Sequence, residues 1–134
     1  MTHLETVQHL YQAFGRGDLP TLLAAFDPEI EWSNPGPSSP SYFGTHRGPE
    51  AVARNVFGFL AENFQFEVFA PTHFFAQGDK VVVLLDMVAV VKHSNRRISQ
   101  KAVHVFTFNP AGKVTQFQDF QDNYSLSTAL AATA

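Results

Sequence analysis

The sequence predicts an α+β fold in which helices gather on one face of a curved antiparallel sheet, and three observations lead there. Up to about residue 62 the chain carries three stretches of apolar residues at helical spacing, and beyond it four runs that alternate with period two. Short clusters of turn residues separate those runs. Helices followed by strands, instead of the two alternating, is the α+β pattern. At 134 residues the chain has the size of one domain around one core, so residues 1–134 are read as a single domain.

The first element opens with Thr2 and Glu5 at capping-box spacing. Leu4, Val7, Leu10, Tyr11 and Phe14 then recur at helical intervals until Gly15 and Gly17 stop the run. Asp18 offers a cap for a second helix with Pro20 in its first turn and Leu22, Leu23 and Phe26 as its apolar residues, ending near Asp27-Pro28. Residues 30–34 alternate as a short strand, with Ile30, Trp32 and Asn34 on one face. Residues 35–48, rich in Pro, Gly and Ser, read as loop. Pro49 suits the first turn of a third helix striped by Val52, Val56, Phe59 and Leu60. Strands are expected over 64–76, 80–92, 97–108 and 113–122. Pro71 cannot donate to a ladder, which predicts a bulge or bend there. The Ala-rich tail, 123–134, is expected to form a short helix that frays.

Composition excludes several classes of function. Hydrophobic residues make up 45% and charged residues 16%, a globular balance. No stretch approaches the roughly 18 apolar residues of a membrane span. Met1 to Glu5 lacks the basic start and apolar core of a signal peptide, so a cytoplasmic location is expected. Net charge of −3 argues against a nucleic-acid partner, because phosphate binding needs clustered Lys and Arg. The absence of cysteine removes disulfides and thiolate chemistry, and the six histidines show no ligand spacing, so no metal is expected. Phosphate-binding glycine loops and nucleophile elbows are also missing.

The two C-terminal strands carry the candidate chemistry. With 109–112 as a four-residue hairpin loop, Phe106 faces Thr115, His104 faces Phe117 and Ala102 faces Asp119, and opposed residues share a sheet face. His104 and Asp119 then become diagonal neighbours, about 7–8 Å apart at the backbone. Extending the register through 93–96 adds Val81, Val83, Leu85, Met87 and Ala89 to an apolar wall bearing His104, Asp119 and Gln121. The opposite face carries Val82, Leu84, Asp86, Val88, Val103, Val105 and Phe120, with Asp86 diagonal to Lys101 as an ion pair. A strand apolar on both sides needs cover on both. A homodimer packed through the outer sheet face supplies it.

The Leu-Tyr-x-Ala-Phe of the first helix, Gly17-Asp18, the strand ending at Trp32, Gly44-x-x-x-Gly48, Gly78-Asp79-Lys80-Val81 and the closing Phe117-Gln118-Asp119-Phe120 together resemble the SnoaL-like branch of the nuclear transport factor 2-like superfamily. The resemblance implies a cone-shaped sheet wrapped around three N-terminal helices, a deep pocket, frequent dimers, and no metal or organic cofactor in most members. It also implies a histidine and an aspartate at the places of His104 and Asp119, with the aspartate as acid/base. The Arg-x-Asp pair of related epoxide hydrolases would fall at Leu85 and Met87, which argues against that chemistry.

A carboxylate partly stripped of water can take a proton alpha to a carbonyl, with His104 holding or protonating the enolate oxygen. The expected site is thus Asp119 and His104 as catalytic residues. Trp32, Asn34, Tyr42, His46, Leu85, Met87, Phe106, Phe117 and Gln121 are read as substrate-binding, around an apolar or aromatic small molecule. Three functions fit: a cofactor-independent isomerase or cyclase acting on an apolar carbonyl compound, a non-catalytic ligand carrier, or a dimerisation module with a vestigial pocket. A buried His-Asp hydrogen bond serving structure alone fits the same residues.

Overall fold

In the computed structural model, which describes residues 1–132, α1 (His3–Gly15) starts at a reciprocal cap. The Glu5 N–H donates to the Thr2 hydroxyl at 3.1 Å, and the Glu5 carboxylate accepts from the Thr2 N–H at 2.9 Å. Asp18 caps α2 (Leu19–Ala24) by accepting from the Thr21 N–H. That helix ends earlier than expected, and Phe26 instead opens β1 (Phe26–Asn34). The break at Asp27-Pro28 appears as an irregularity in the pairing of β1 with its neighbour between Phe26 and Glu31, where Pro28 has no N–H to give.

The segment read as loop contains a further strand, β2 (Gly44–Arg47), antiparallel to β1 with His46 opposite Trp32. Four residues are too few for periodicity to declare. They are bounded by Gly44 at φ 92° and Gly48 at φ 83°, backbone that glycine adopts readily. Helix α3 runs over 49–63, with a π turn at Ala53–Phe57 between two α-helical pieces. The meander follows as β3 (Phe64–Gln77), β4 (Lys80–Val91), β5 (Arg97–Phe108) and β6 (Val114–Phe120). Pairing shifts between Pro71 and His73, at the expected bulge. Helix α4 (Asn123–Ala131) is capped by Asp122, and the last two residues of the tail expected to be helical, Thr133 and Ala134, lie outside the described residues.

The six strands form one curved sheet in the order β2-β1-β6-β5-β4-β3. All neighbours are antiparallel except β1 and β6, which correct the expectation of a wholly antiparallel sheet. A parallel pair needs a long crossover, and everything from β2 to β5 lies between them. The edges β2 and β3 do not meet, so the cone stays open. Helices α1 and α3 pack on the sheet, against β3, β4 and β1, and the core of Val7, Leu10, Ile30, Val52, Val56, Val81 and Val83 lies between.

Register differs from expectation by two residues in both hairpins. The turn before β5 uses 92–95, with Asn95 at φ 59°, so Val90 opposes Arg97 and Leu85 opposes Ala102. Between β5 and β6 the hairpin closes at Asn109 and Lys113, one residue on from the expected pair, and a bulge beside Thr107 adds the second, so His104 faces Asp119 directly. A shift of two preserves the face of every side chain, because the strand period is two. Asp86 and Lys101 therefore still pair, opposite and not diagonal, at 2.9 Å; the contact is exposed and contributes little. Among the described residues no helix is long and apolar enough to cross a membrane.

A candidate active site in the concavity of the sheet

A cavity of about 100 Å³ opens between α1, α3 and the concave face of the sheet, walled mainly by aromatic rings. Of the expected site residues, Trp32, Asn34, Tyr42, Met87, Phe106 and Phe117 line it, together with His104, Asp119 and Gln121. His46 and Leu85 do not. His46 is buried on β2, where its Nε2 donates to the Tyr42 carbonyl at 2.8 Å and so is turned to the loop backbone. Leu85 is sealed in the sheet between Pro71 and Ala102 of the adjacent strands. It contributes packing instead of cavity surface.

The polar centre is a short chain of side chains. His104 Nε2 lies 3.3 Å from Asp119 Oδ1, and both residues are nearly fully buried. That contact is long and poorly aligned, so Oδ1 keeps unused acceptor capacity. Gln121 Nε2 donates to Asp119 Oδ2 at 2.8 Å. On the far side of the imidazole, the Tyr11 hydroxyl sits 2.6 Å from His104 Nδ1, with the two rings nearly parallel. When Tyr11 donates to Nδ1, the remaining ring proton is on Nε2 and faces the carboxylate. The second residue of each contact comes from a different element: α1 holds Tyr11, β5 holds His104 and β6 holds Asp119.

Tyr11 was legible only as part of the apolar stripe of α1. The available signal was that a buried phenol needs a hydrogen-bond partner. Gln100 also lines the cavity unforeseen, with its Nε2 donating to the Asp122 carbonyl at 2.9 Å and its Oε1 unpartnered. Trp32 stacks on Phe117 at 3.7 Å between ring centroids, and Asn34 Nδ2 donates to the Tyr42 carbonyl at 3.1 Å. Among the described residues no group of three or more His, Asp or Glu side chains is placed to hold a metal ion.

Both cavity phenols are pushed up in pKa, by burial first and by the negative charge of Asp119 second. A raised folded-state value means that folding favours the neutral phenol. The stability this contributes is fully present below the unfolded pKa of about 10 and is lost as pH rises beyond it. Urea unfolding is therefore expected to show stability falling above about pH 10. The double variant Tyr11→Phe, Tyr42→Phe is expected to lose most of that slope; an equally steep fall would place its cause elsewhere.

A curved sheet holding helices in its concavity and a buried His-Asp pair at the base of an apolar cavity defines a protein of the nuclear transport factor 2-like class. Within it, the chain belongs to the SnoaL-like family, whose domain matches residues 7–117. The chain is 30% identical to a nuclear transport factor 2-like protein of unknown function from Burkholderia pseudomallei, over 98% of this chain and 100% of that one, with a TM-score of 0.87. It is 32% identical to a second nuclear transport factor 2-like protein, from Burkholderia xenovorans, over 96% and 95% of the two chains, with a TM-score of 0.83. A candidate SnoaL-like polyketide cyclase from Mesorhizobium loti, 18% identical over 90% of this chain and 99% of its own, has a TM-score of 0.71 and shares the fold. No curated protein matches the chain.

Proposed function

We propose that the protein is a cofactor-independent isomerase or cyclase that relocates a proton on an apolar carbonyl compound, with Asp119 as the acid/base. One observation carries this reading: Asp119 is the only carboxylate lining the cavity among the described residues, and its Oδ1, buried beside the His104 ring, accepts no hydrogen bond. A base in a dry cavity meets few competing proton donors. The family match supports the scaffold and stops at Phe117, so the role of Asp119 rests on geometry alone.

The dimerisation-module reading draws on a different observation, the cavity volume of about 100 Å³. Typical ligand sites occupy roughly 300–1,000 Å³, so a substrate larger than a single ring requires the lining rings to turn aside. Proton exchange separates the readings. Acetophenone in D2O is expected to exchange its methyl protons faster with the protein than without it, by NMR. Binding without exchange would favour a carrier, and neither binding nor exchange the module.

The same proposal includes a homodimer through the outer sheet face. Val68, Phe75 and Phe120 are 40%, 56% and 46% exposed there, beside the half-buried Val82, Leu84, Val103 and Val105. Sedimentation at micromolar concentration is expected to give a dimer, and Val105→Glu a monomer. A monomeric parent protein would leave that apolar face without an explanation.

A further inference from the structure

The cavity is short of positive charge and of hydrogen-bond donors. Asp119 is 4% exposed, and no lysine or arginine lines the cavity with it among the described residues. A carboxylate offers about four acceptor positions. Among the described residues this one accepts a single hydrogen bond, from Gln121. His104 Nε2 lies 3.3 Å from Oδ1 without donating to it, and the imidazole carries a charge only when protonated. Gln100 repeats the imbalance: its Nε2 is held by the Asp122 carbonyl while its Oε1 has no donor. A buried charge without a partner is costly, and so is a buried oxygen without a donor.

The rings beside that carboxylate have the electrostatics of a cation site. Phe117, Tyr11 and Phe69 surround the His104 ring at centroid distances of 4.8, 5.9 and 6.3 Å, and Phe106 meets both Tyr11 and Phe117 edge-on. The face of an aromatic ring carries partial negative charge, so a cation among several such rings regains part of the stabilisation it loses on leaving water. Burial, with the negative charge of Asp119, holds the Tyr11 and Tyr42 phenols neutral, so neither supplies a second anion.

We propose that the cavity binds a small primary arylalkylamine as its ammonium ion, seated against the Asp119 carboxylate with its ring among these aromatic side chains. A primary ammonium carries three N–H donors on one positive charge and so supplies both of the things this wall lacks. A carbonyl group supplies neither. The cavity of about 100 Å³ limits the ligand to one ring on a short arm. Amine and ketone need the same space, so the amine competes with a carbonyl substrate and also occupies its base. Binding of this kind requires no proton transfer.

Trp32, the single tryptophan, lines the cavity and reports binding by its fluorescence. Benzylammonium and benzyl alcohol share a shape and differ in charge, and each is titrated into the full chain at neutral pH. The ammonium is expected to bind more tightly than the alcohol by roughly tenfold, the scale of a hydrogen bond to a charged group, and to displace it. In Asp119→Asn that preference is expected to vanish while the alcohol keeps its affinity within a few-fold, which shows an intact cavity. Phe69→Leu, which keeps an apolar side chain and removes a ring face, is expected to weaken the ammonium several-fold more than the alcohol. Any of three results overturns the proposal: a parent protein that binds the alcohol as tightly as the ammonium, a preference unchanged in both variants, or ammonium that leaves bound alcohol in place. Proton exchange enters none of these measurements, so amine binding and the acid/base role of Asp119 are decided separately.

Discussion

Asparagine at position 119 is expected to cut methyl-proton exchange of acetophenone by about three orders of magnitude, within the range assigned to a positioned acid/base. Ketone affinity should change by no more than a few-fold. Asparagine has the size of aspartate, so the cavity keeps its shape. The surrounding contacts can also be rebuilt: if the new amide donates to His104 Nε2, the imidazole proton moves to Nδ1 and Tyr11 accepts instead of donating. The variant thus removes a base and little else. Exchange rate and affinity, measured separately by NMR, divide the outcomes, because loss of a group used in the transition state lowers turnover without weakening ground-state binding. Unchanged exchange would sink the mechanism. Loss of binding together with exchange would make Asp119 an anchor for the ligand's polar group, which is the carrier reading.

The placement of that aspartate shows which parts of the structure could be read in advance. Hairpin loops predicted His104 and Asp119 on one wall, and they stay there although both registers moved by two residues, because parity alone decides the face. What parity cannot give is distance. A hairpin closed at Asn109 and Lys113 and the bulge beside Thr107 together turned a diagonal pair into an opposed one, and bulges leave little mark in a sequence of alternating residues. Tyr11 lies 93 positions from His104, on an element whose spacing marked it only as core. Its role depends on how α1 sits across the sheet, which no local pattern encodes. Strand β2 was hidden by its four-residue length inside a stretch of turn formers, and with it the burial of His46. The cavity volume depends on the rotamers of Phe57, Phe66 and Phe69, and a count of phenylalanines says nothing about those.

Alanine at position 117 is expected to cost about 3–5 kcal/mol of stability, as for other buried phenylalanines reduced to alanine. Phe117 is 3% exposed and stands where three walls meet: Trp32 stacks on it at 3.7 Å, Phe106 meets it edge-on at 5.0 Å and His104 at 4.8 Å. Sheet and helix cannot close over the gap, because Phe117 is held between β5 and β1 by pairing with Phe106 and Trp32. The deleted ring therefore leaves a void, and the transfer cost and the cavity cost add. Urea unfolding at neutral pH measures the loss; less than about 1 kcal/mol would mean that the walls collapse into the space. The same change is expected to admit ketones one ring larger than acetophenone while slowing their exchange. The ring that limits the cavity also holds His104 against Asp119, so the space gained comes with a less ordered base.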